Sequence, residues 1–320
     1  MTSSRATPSP PSRTQLVLAF LTLYIVWGST YLAIKWVVAD IPPFFAATMR
    51  HGVAGTVLFC WASLRGVRWP TRAELRVALV VGTLLLAVGN GLVNWAGTRV
   101  PSGLTSLIVA SLPIWMVALE WWREGVVPRR RTMIGVAIGS AGIAALVWTA
   151  GGIGAARGSV LSTLLGTGAL LMASFSWAVG SFFSRRAARH PDGVFATSLE
   201  MLAASAVLLV VSLLAGDLAA FEPATVGRRA WMALGYLIVF GSVMGFSAYT
   251  FLLRVTSPSK VSTYAYVNPL VAVFLGTTLG GEPLTPGLLV AAGLVLGAVV
   301  LITLPTGRLA RRTVGVQRPQ

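Results

Sequence analysis

The chain has 320 residues, 55% of them hydrophobic and only 11% charged, with a formal charge of +16 and a mean hydropathy of +0.78. Soluble domains carry about 25% charged residues, so this balance excludes a soluble enzyme or carrier and describes an integral membrane protein whose first partner is the lipid bilayer. The basic excess does not describe a nucleic-acid binder either, because the arginines punctuate apolar runs instead of sharing one soluble face.

In chain order, residues 1–15 (MTSSRATPSPPSRTQ) form a Ser/Pro/Arg tail expected to be disordered. The apolar run that follows resembles a signal sequence for a few residues. It continues past Trp27 without a small-residue cleavage site, which makes it an uncleaved first span. A span needs roughly 20 apolar residues. Ten are read, at about 16–39, 44–64, 75–96, 102–122, 132–149, 159–183, 194–215, 230–253, 259–280 and 286–304. Pro113 and Pro269 interrupt the fourth and ninth, and residues 305–320 form a basic tail. The single cysteine, Cys60, leaves no disulfide framework, and no metal or cofactor is expected.

Orientation follows from Lys and Arg counted loop by loop. With the N-terminus in the cytoplasm, 19 basic residues fall on the cytoplasmic side and 4 opposite, the latter being Arg99, Arg157, Arg228 and Arg229; Lys35 and Arg50 lie within spans. This alternation supports the span count and places both termini and both tails in the cytoplasm.

The chain also aligns weakly with itself. WGSTYLAIKW (27–36) falls on WAVGSFFSRR (177–186), and AATMRHGVA (46–54) on ATSLEMLAA (196–204), both at a spacing of 150. PSGLTSLIVASLP (101–113) resembles PSKVSTYAYVNP (258–269), and IGVAIGSAGIAALV (134–147) resembles LVAAGLVLGAVVLI (289–302). Five spans per copy is an odd number, so the second copy enters the membrane from the opposite face. The expected fold is therefore all-α, with ten transmembrane helices in two inverted five-helix repeats at 16–149 and 159–304. In such folds the substrate site lies near the midplane between repeats, and rocking of the halves gives alternating access.

WGSTYLAIK in the first span, Arg50 in the second, STYAYVNPLVAVFLG at 262–276 and GEPLT leading into a Gly-rich last helix resemble the EamA-type members of the drug/metabolite transporter superfamily. AVGNGLVNWAG (87–97) and TYAYVNP (263–269) resemble its YedA-type bacterial branch. The resemblance implies ten helices in two inverted repeats, residence in a bacterial inner membrane, and secondary export of small metabolites or amphipathic drugs. It also implies an acidic residue before the last helix of each repeat: Glu282 fits that pattern in the second half, while Glu124 sits in a different local pattern.

Charges at membrane depth are costly and usually face a protein interior or an aqueous cavity. Arg50 is the leading candidate, as a cation for an anionic substrate group or for Glu200; the alternative is a structural ion pair or a side chain that snorkels to the interface. Lys35 either binds a substrate carboxylate or reaches the outer headgroups. Glu200 is a candidate proton-coupling carboxylate or a fixed partner for an arginine, and His51 is more ordinarily a structural residue. With the halves inverted, Arg50 is expected toward the outer side and Glu200 toward the cytoplasm, each guarding one end of a central cavity.

Neutral candidates are Tyr31, Asn90, Asn94, Trp177, Tyr249, Tyr264 and Asn268. Asn90 and Asn94 share a helix face, which suits either a cavity or helix–helix hydrogen bonding. The glycine ladders Gly135/Gly139/Gly142 and Gly293/Gly297 are read as close-packing surfaces, with a homodimer left open. The expected small-molecule substrate is accompanied by a proton as a candidate coupling ion. A membrane enzyme would need clustered acids or histidines, and the chain has only His51 and His190. No GxxxxGK[ST] motif is present for ATP-driven pumping. A channel-like facilitator or a membrane sensor remains the alternative.

Overall fold

The computed structural model describes residues 12–125, 127–157, 160–256, 261 and 264–303. Residues 1–11 and 305–320 of the two tails, residues 259, 260, 262 and 263 at the start of the ninth span and residue 304 at the end of the tenth lie outside these. Among the described residues the secondary structure is helical throughout. The long helices are α1 Arg13–Val37, α2 Pro43–Leu64, α3 Arg72–Gly97, α4 Ser102–Glu124, α5 Arg130–Arg157, α6 Val160–Ser184, α7 Gly193–Leu214, α8 Arg228–Leu252, α9 Tyr264–Thr278 and α10 Pro286–Thr303. Six of them (α1, α3, α4, α6, α7 and α8) are long and apolar enough to cross a membrane by length and composition.

Helix ends fall within a few residues of the hydropathy boundaries, with two differences. Residues 13–15 belong to α1 and not to the tail, because Ser12 and Gln15 form a capping box that starts the helix early. Helix α5 runs on to Arg157 instead of stopping near 149. Thr71 and Glu74 form the same kind of box at α3, where Arg68 also clamps the Glu74 carboxylate at 2.5 and 3.0 Å. Asp192 caps α7 through the Phe195 N–H.

Three long helices contain π segments, at Thr22–Trp27 in α1, Gly82–Asn90 in α3 and Leu237–Met244 in α8. Helix α4 breaks at Ala110–Ser111, and Pro113 sits in the first turn of its second half, where a missing N–H leaves no gap in the ladder. Such departures free backbone groups, and they concentrate at functional positions.

Helix α2 packs along α7, and α5 along α10. Helix α1 touches α8 and α9, and α6 touches α3 and α4; α3 lies on α7, α8 lies on α2, and α4 meets α9. Shifting every helix number by five maps this set of neighbours onto itself. Close approach makes the α2–α7 seam: Gly52 admits the Ser205 hydroxyl, which donates to the Thr48 carbonyl at 3.0 Å, and Gly55 admits Met201 and Leu202. A Cβ at Gly82 of α3 would collide with the Glu200 carbonyl of α7.

In the α5–α10 pair, Gly135, Gly139 and Gly142 pack against Ala298, Leu294 and Val295. The second ladder makes no such contact within the chain: a Cβ at Gly293 or Gly297 would meet nothing within 4 Å among the described residues, because α10 turns its Leu294, Val295 and Ala298 side toward α5. Large apolar side chains stay uncovered on the outer faces, among them Val57 and Trp61 on α2, Leu161 and Leu165 on α6, and Val210 and Leu213 on α7. Contiguous apolar surface on this scale is foreign to a soluble monomer and suits a lipid environment.

Candidate functional site

A cavity of about 100 Å³ lies among α1, α3, α4, α6, α8 and α9, with Arg50 reaching it from α2. Its aromatic walls are Trp27, Tyr31, Trp177, Phe246 and Tyr264, and its polar groups come from Thr30, Arg50, Asn90, Ser106, Ser174 and Asn268. Six of the ten sequence candidates therefore converge here: Tyr31, Arg50, Asn90, Trp177, Tyr264 and Asn268. Lys35, Asn94, Glu200 and Tyr249 do not line it.

Arg50 is 3% exposed. Its Nε donates to the Ser242 hydroxyl at 2.9 Å, within the π segment of α8, whereas Nη1 is buried without a hydrogen-bond partner among the described residues. A buried donor without an acceptor is unusual and calls for an explanation. The neighbouring His51 is fully buried, and neither of its ring nitrogens has a hydrogen-bond partner among the described residues.

The aromatic wall is held in place by backbone and ring contacts. Trp27 Nε1 donates to the Gly241 carbonyl at 3.1 Å, and its ring meets Tyr249, Phe246 and Tyr264 at centroid distances of 5.3, 5.3 and 5.2 Å. Tyr249 thus buttresses Trp27 from outside the cavity. Trp177 stands edge-on to Trp27 at 6.5 Å and stacks on Phe246 at 6.4 Å. Asn268, with its amide nitrogen turned toward its acceptors, donates to the carbonyls of Leu23, Tyr24 and Tyr264 at 3.1, 3.2 and 3.2 Å. Two of these carbonyls belong to the π segment of α1. Asn94 spends its amide on the Asn90 carbonyl at 2.8 Å, which ends the π segment of α3, while Asn90 itself faces the cavity. The hydroxyls of Thr30, Ser106 and Ser174 donate to helix carbonyls, so toward the cavity they offer oxygen acceptors.

The other charged candidates, Lys35 and Glu200, pair at opposite ends of the bundle. At the end holding the α1–α2, α3–α4, α7–α8 and α9–α10 connections, Lys35 Nζ donates to Glu282 at 2.6 Å. The same carboxylate accepts the N–H groups of Ser102 and Gly103 at 2.7 and 3.0 Å, capping the N-terminus of α4. Burial pushes the Glu282 carboxyl up, but the hydrogen bonds from Lys35 and from the Gly103 and Ser102 amides outweigh it and hold the group below the usual carboxylate range. Asp217 caps α2 from the α7–α8 connection, accepting from Phe44 and Phe45 N–H at 2.8 and 3.3 Å. Asp40 accepts the Gly227 N–H at 2.9 Å, where α8 begins.

At the opposite end Glu200 accepts from Arg189 Nε and Nη2 at 3.1 and 2.8 Å. Arg186 pairs with Glu124 at 2.6 Å and Arg185 with Glu120 at 3.5 Å. Sequence reasoning did not single out Ser242, Ser106, Ser174 or Phe246. Hydroxyls scattered through apolar spans were the available sign for the serines, and Phe246 carried none.

A helical membrane bundle enclosing a polar and aromatic cavity has the form of a membrane transporter. The chain belongs to the EamA-like transporter family, which matches residues 14–148 and 164–304. It is 40% identical over 289 residues to the inner membrane transporter YedA of Escherichia coli (strain K12), covering 89% of this chain and 90% of that one. It is 25% identical over 298 residues to a Salmonella typhimurium protein named "Probable amino-acid metabolite efflux pump", covering 89% and 95% of the two chains. A solved crystal structure superposes with a TM-score of 0.62 at 22% identity, over 91% of this chain and 98% of the other, a likeness of fold alone. The protein is a multi-pass membrane transporter.

Proposed function

We propose that the chain is a secondary exporter of small organic molecules that works by alternating access, with the central cavity as its substrate site. In this reading ten helices span a bacterial inner membrane in two inverted five-helix repeats, at 16–149 and 159–304, with both termini in the cytoplasm. Support comes from the neighbour pattern that returns when helix numbers shift by five, from π segments at matching places in α3 and α8, and from the 19-to-4 distribution of basic residues. The observation that carries the functional reading is the buried Arg50, which holds an unpartnered N–H group against a cavity drawn from both halves.

The two ends are then the two gates. Lys35, Glu282 and the start of α4 close the outer one. Arg189–Glu200 and Arg186–Glu124 close the cytoplasmic one. Glu200 carries the proton-coupling proposal, because its protonation would release Arg189 and loosen the α6–α7 connection. The name of the Salmonella relative makes amino-acid metabolites one class for the substrate panel.

The test is efflux of a metabolite panel from proteoliposomes under an imposed pH gradient. The reading expects at least one solute to move with saturable kinetics, Arg50→Ala to abolish that movement, and Glu200→Gln to uncouple it from the gradient. It fails if nothing moves, or if both variants transport like the parent.

A further inference from the structure

We infer that the cavity selects small organic monoanions, a carboxylate bound at Arg50 and a flat apolar body seated against Trp27 and Trp177, and that it rejects organic cations. The inference deepens the transporter reading and rests on it only for the meaning of the site. Arg50 is the sole charged side chain among the described residues lining the cavity, and no carboxylate accompanies it. A guanidinium 3% exposed, with Nε held by Ser242 and Nη1 lacking an acceptor, is oriented by the protein and left incomplete. A carboxylate supplies two oxygens in the geometry that a guanidinium fork binds best. In a low-dielectric pocket, leaving a charged donor unmatched costs more than filling it.

The rest of the wall sets the shape of the ligand. Trp27 and Trp177 are fixed by the Gly241 carbonyl and by Phe246, so two preset aromatic surfaces face the space beside the cation. Aromatic and apolar bodies gain from such surfaces without a second charge. A quaternary ammonium would also suit the rings, but it would sit beside Arg50 with no anion to offset the repulsion. A zwitterionic amino acid satisfies Arg50 at one end and must desolvate its ammonium against neutral oxygens at the other, a penalty the monoanion does not meet.

The test uses three ligands with the same ring: benzoate, phenylalanine and benzyltrimethylammonium. Binding to the purified full chain is read by quenching of tryptophan fluorescence and by isothermal calorimetry, independently of transport. Benzoate is expected to bind at least about tenfold more tightly than phenylalanine, with no saturable binding of the cation. Arg50→Gln is expected to weaken benzoate by more than about tenfold, and Arg50→Lys, which keeps the charge, by less; circular dichroism and melting curves confirm that both variants fold. Binding of the cation as tight as that of benzoate, phenylalanine binding more tightly than benzoate, or equal benzoate affinity in Arg50→Gln and the parent would overturn the inference. Benzoate binding without efflux would overturn the transport reading and leave the anion site standing. Saturable efflux of the cation with no benzoate binding would do the reverse.

Discussion

The two ends of the bundle are tied together by different chemistry. Where α1 finishes, Asp40, Asp217 and Glu282 each place a carboxylate on backbone N–H groups at or beside the N-terminus of a helix far away in sequence. Where α6 finishes, carboxylates meet arginine side chains, and the Arg186–Glu124 pair is 61% and 34% exposed, against 5% for Glu282. Hydrogen bonds to a charged group contribute about 1.5–3 kcal/mol each, while exposed ion pairs contribute about 0–1 kcal/mol. The Glu282 contacts are therefore expected to be stronger than the exposed Arg186–Glu124 pair, with the Arg189–Glu200 pair, whose side chains are 28% and 11% exposed, between them. A carboxylate's effect here is set by whether it finds a helix end or a solvated side chain.

The largest expected effect is that of Glu282→Ala, which strips the cap from α4 and leaves Lys35 without its anion. Loss of a buried pair costs about 3–5 kcal/mol, read as a fall of several degrees in the melting temperature in detergent. Glu124→Ala at the other end should cost less than about 1 kcal/mol, and equal shifts for the two would break the comparison. Next in size come Asp217→Asn and Asp40→Asn, each expected to cost about 1 kcal/mol through a weakened cap and each measurable in the same melting assay.

Acid sharpens the contrast further. The Glu282 carboxyl lies lower in the folded chain than its ordinary value of 4.5. Its contribution is complete above that value and is lost as pH falls through the lower folded one. Melting temperature should therefore decline below about pH 4.5 in the parent, with a shallower slope in Glu282→Gln. The smallest effect is that of salt. Raising ionic strength from about 0.1 M to about 1 M should erase the stability difference between Arg186→Gln and the parent, and leave that between Glu282→Ala and the parent nearly unchanged.

The helix positions were legible because hydropathy runs are a local property. The start of α1 was missed by a few residues, since Ser12 and Gln15 read as part of a polar tail until their capping geometry is seen. The cavity was partly legible. Arg50, Asn90 and Tyr264 stand out as polar groups in apolar spans, and they do line it. Lys35 and Glu200 stand out in the same way; Glu200 meets Arg189, one of the two roles read for it, whereas Lys35 meets Glu282, and a partner 247 residues away leaves no mark in local pattern. Asn90 and Asn94 share a helix face, yet the π segment of α3 turns one amide inward and spends the other on a freed carbonyl. Composition does not announce a π segment, so that split was not readable.

The central claim is that one cavity is exposed to the two sides in turn, with the Glu282 end as the tighter gate. The direct measurement is labelling of Ser174→Cys in a Cys60→Ser background with a membrane-impermeant maleimide, applied from each face of oriented vesicles. Labelling is expected from the cytoplasmic face, with a several-fold rise from the opposite face once Glu282→Ala is added. Equal labelling from both faces, or labelling indifferent to residue 282, would contradict the account.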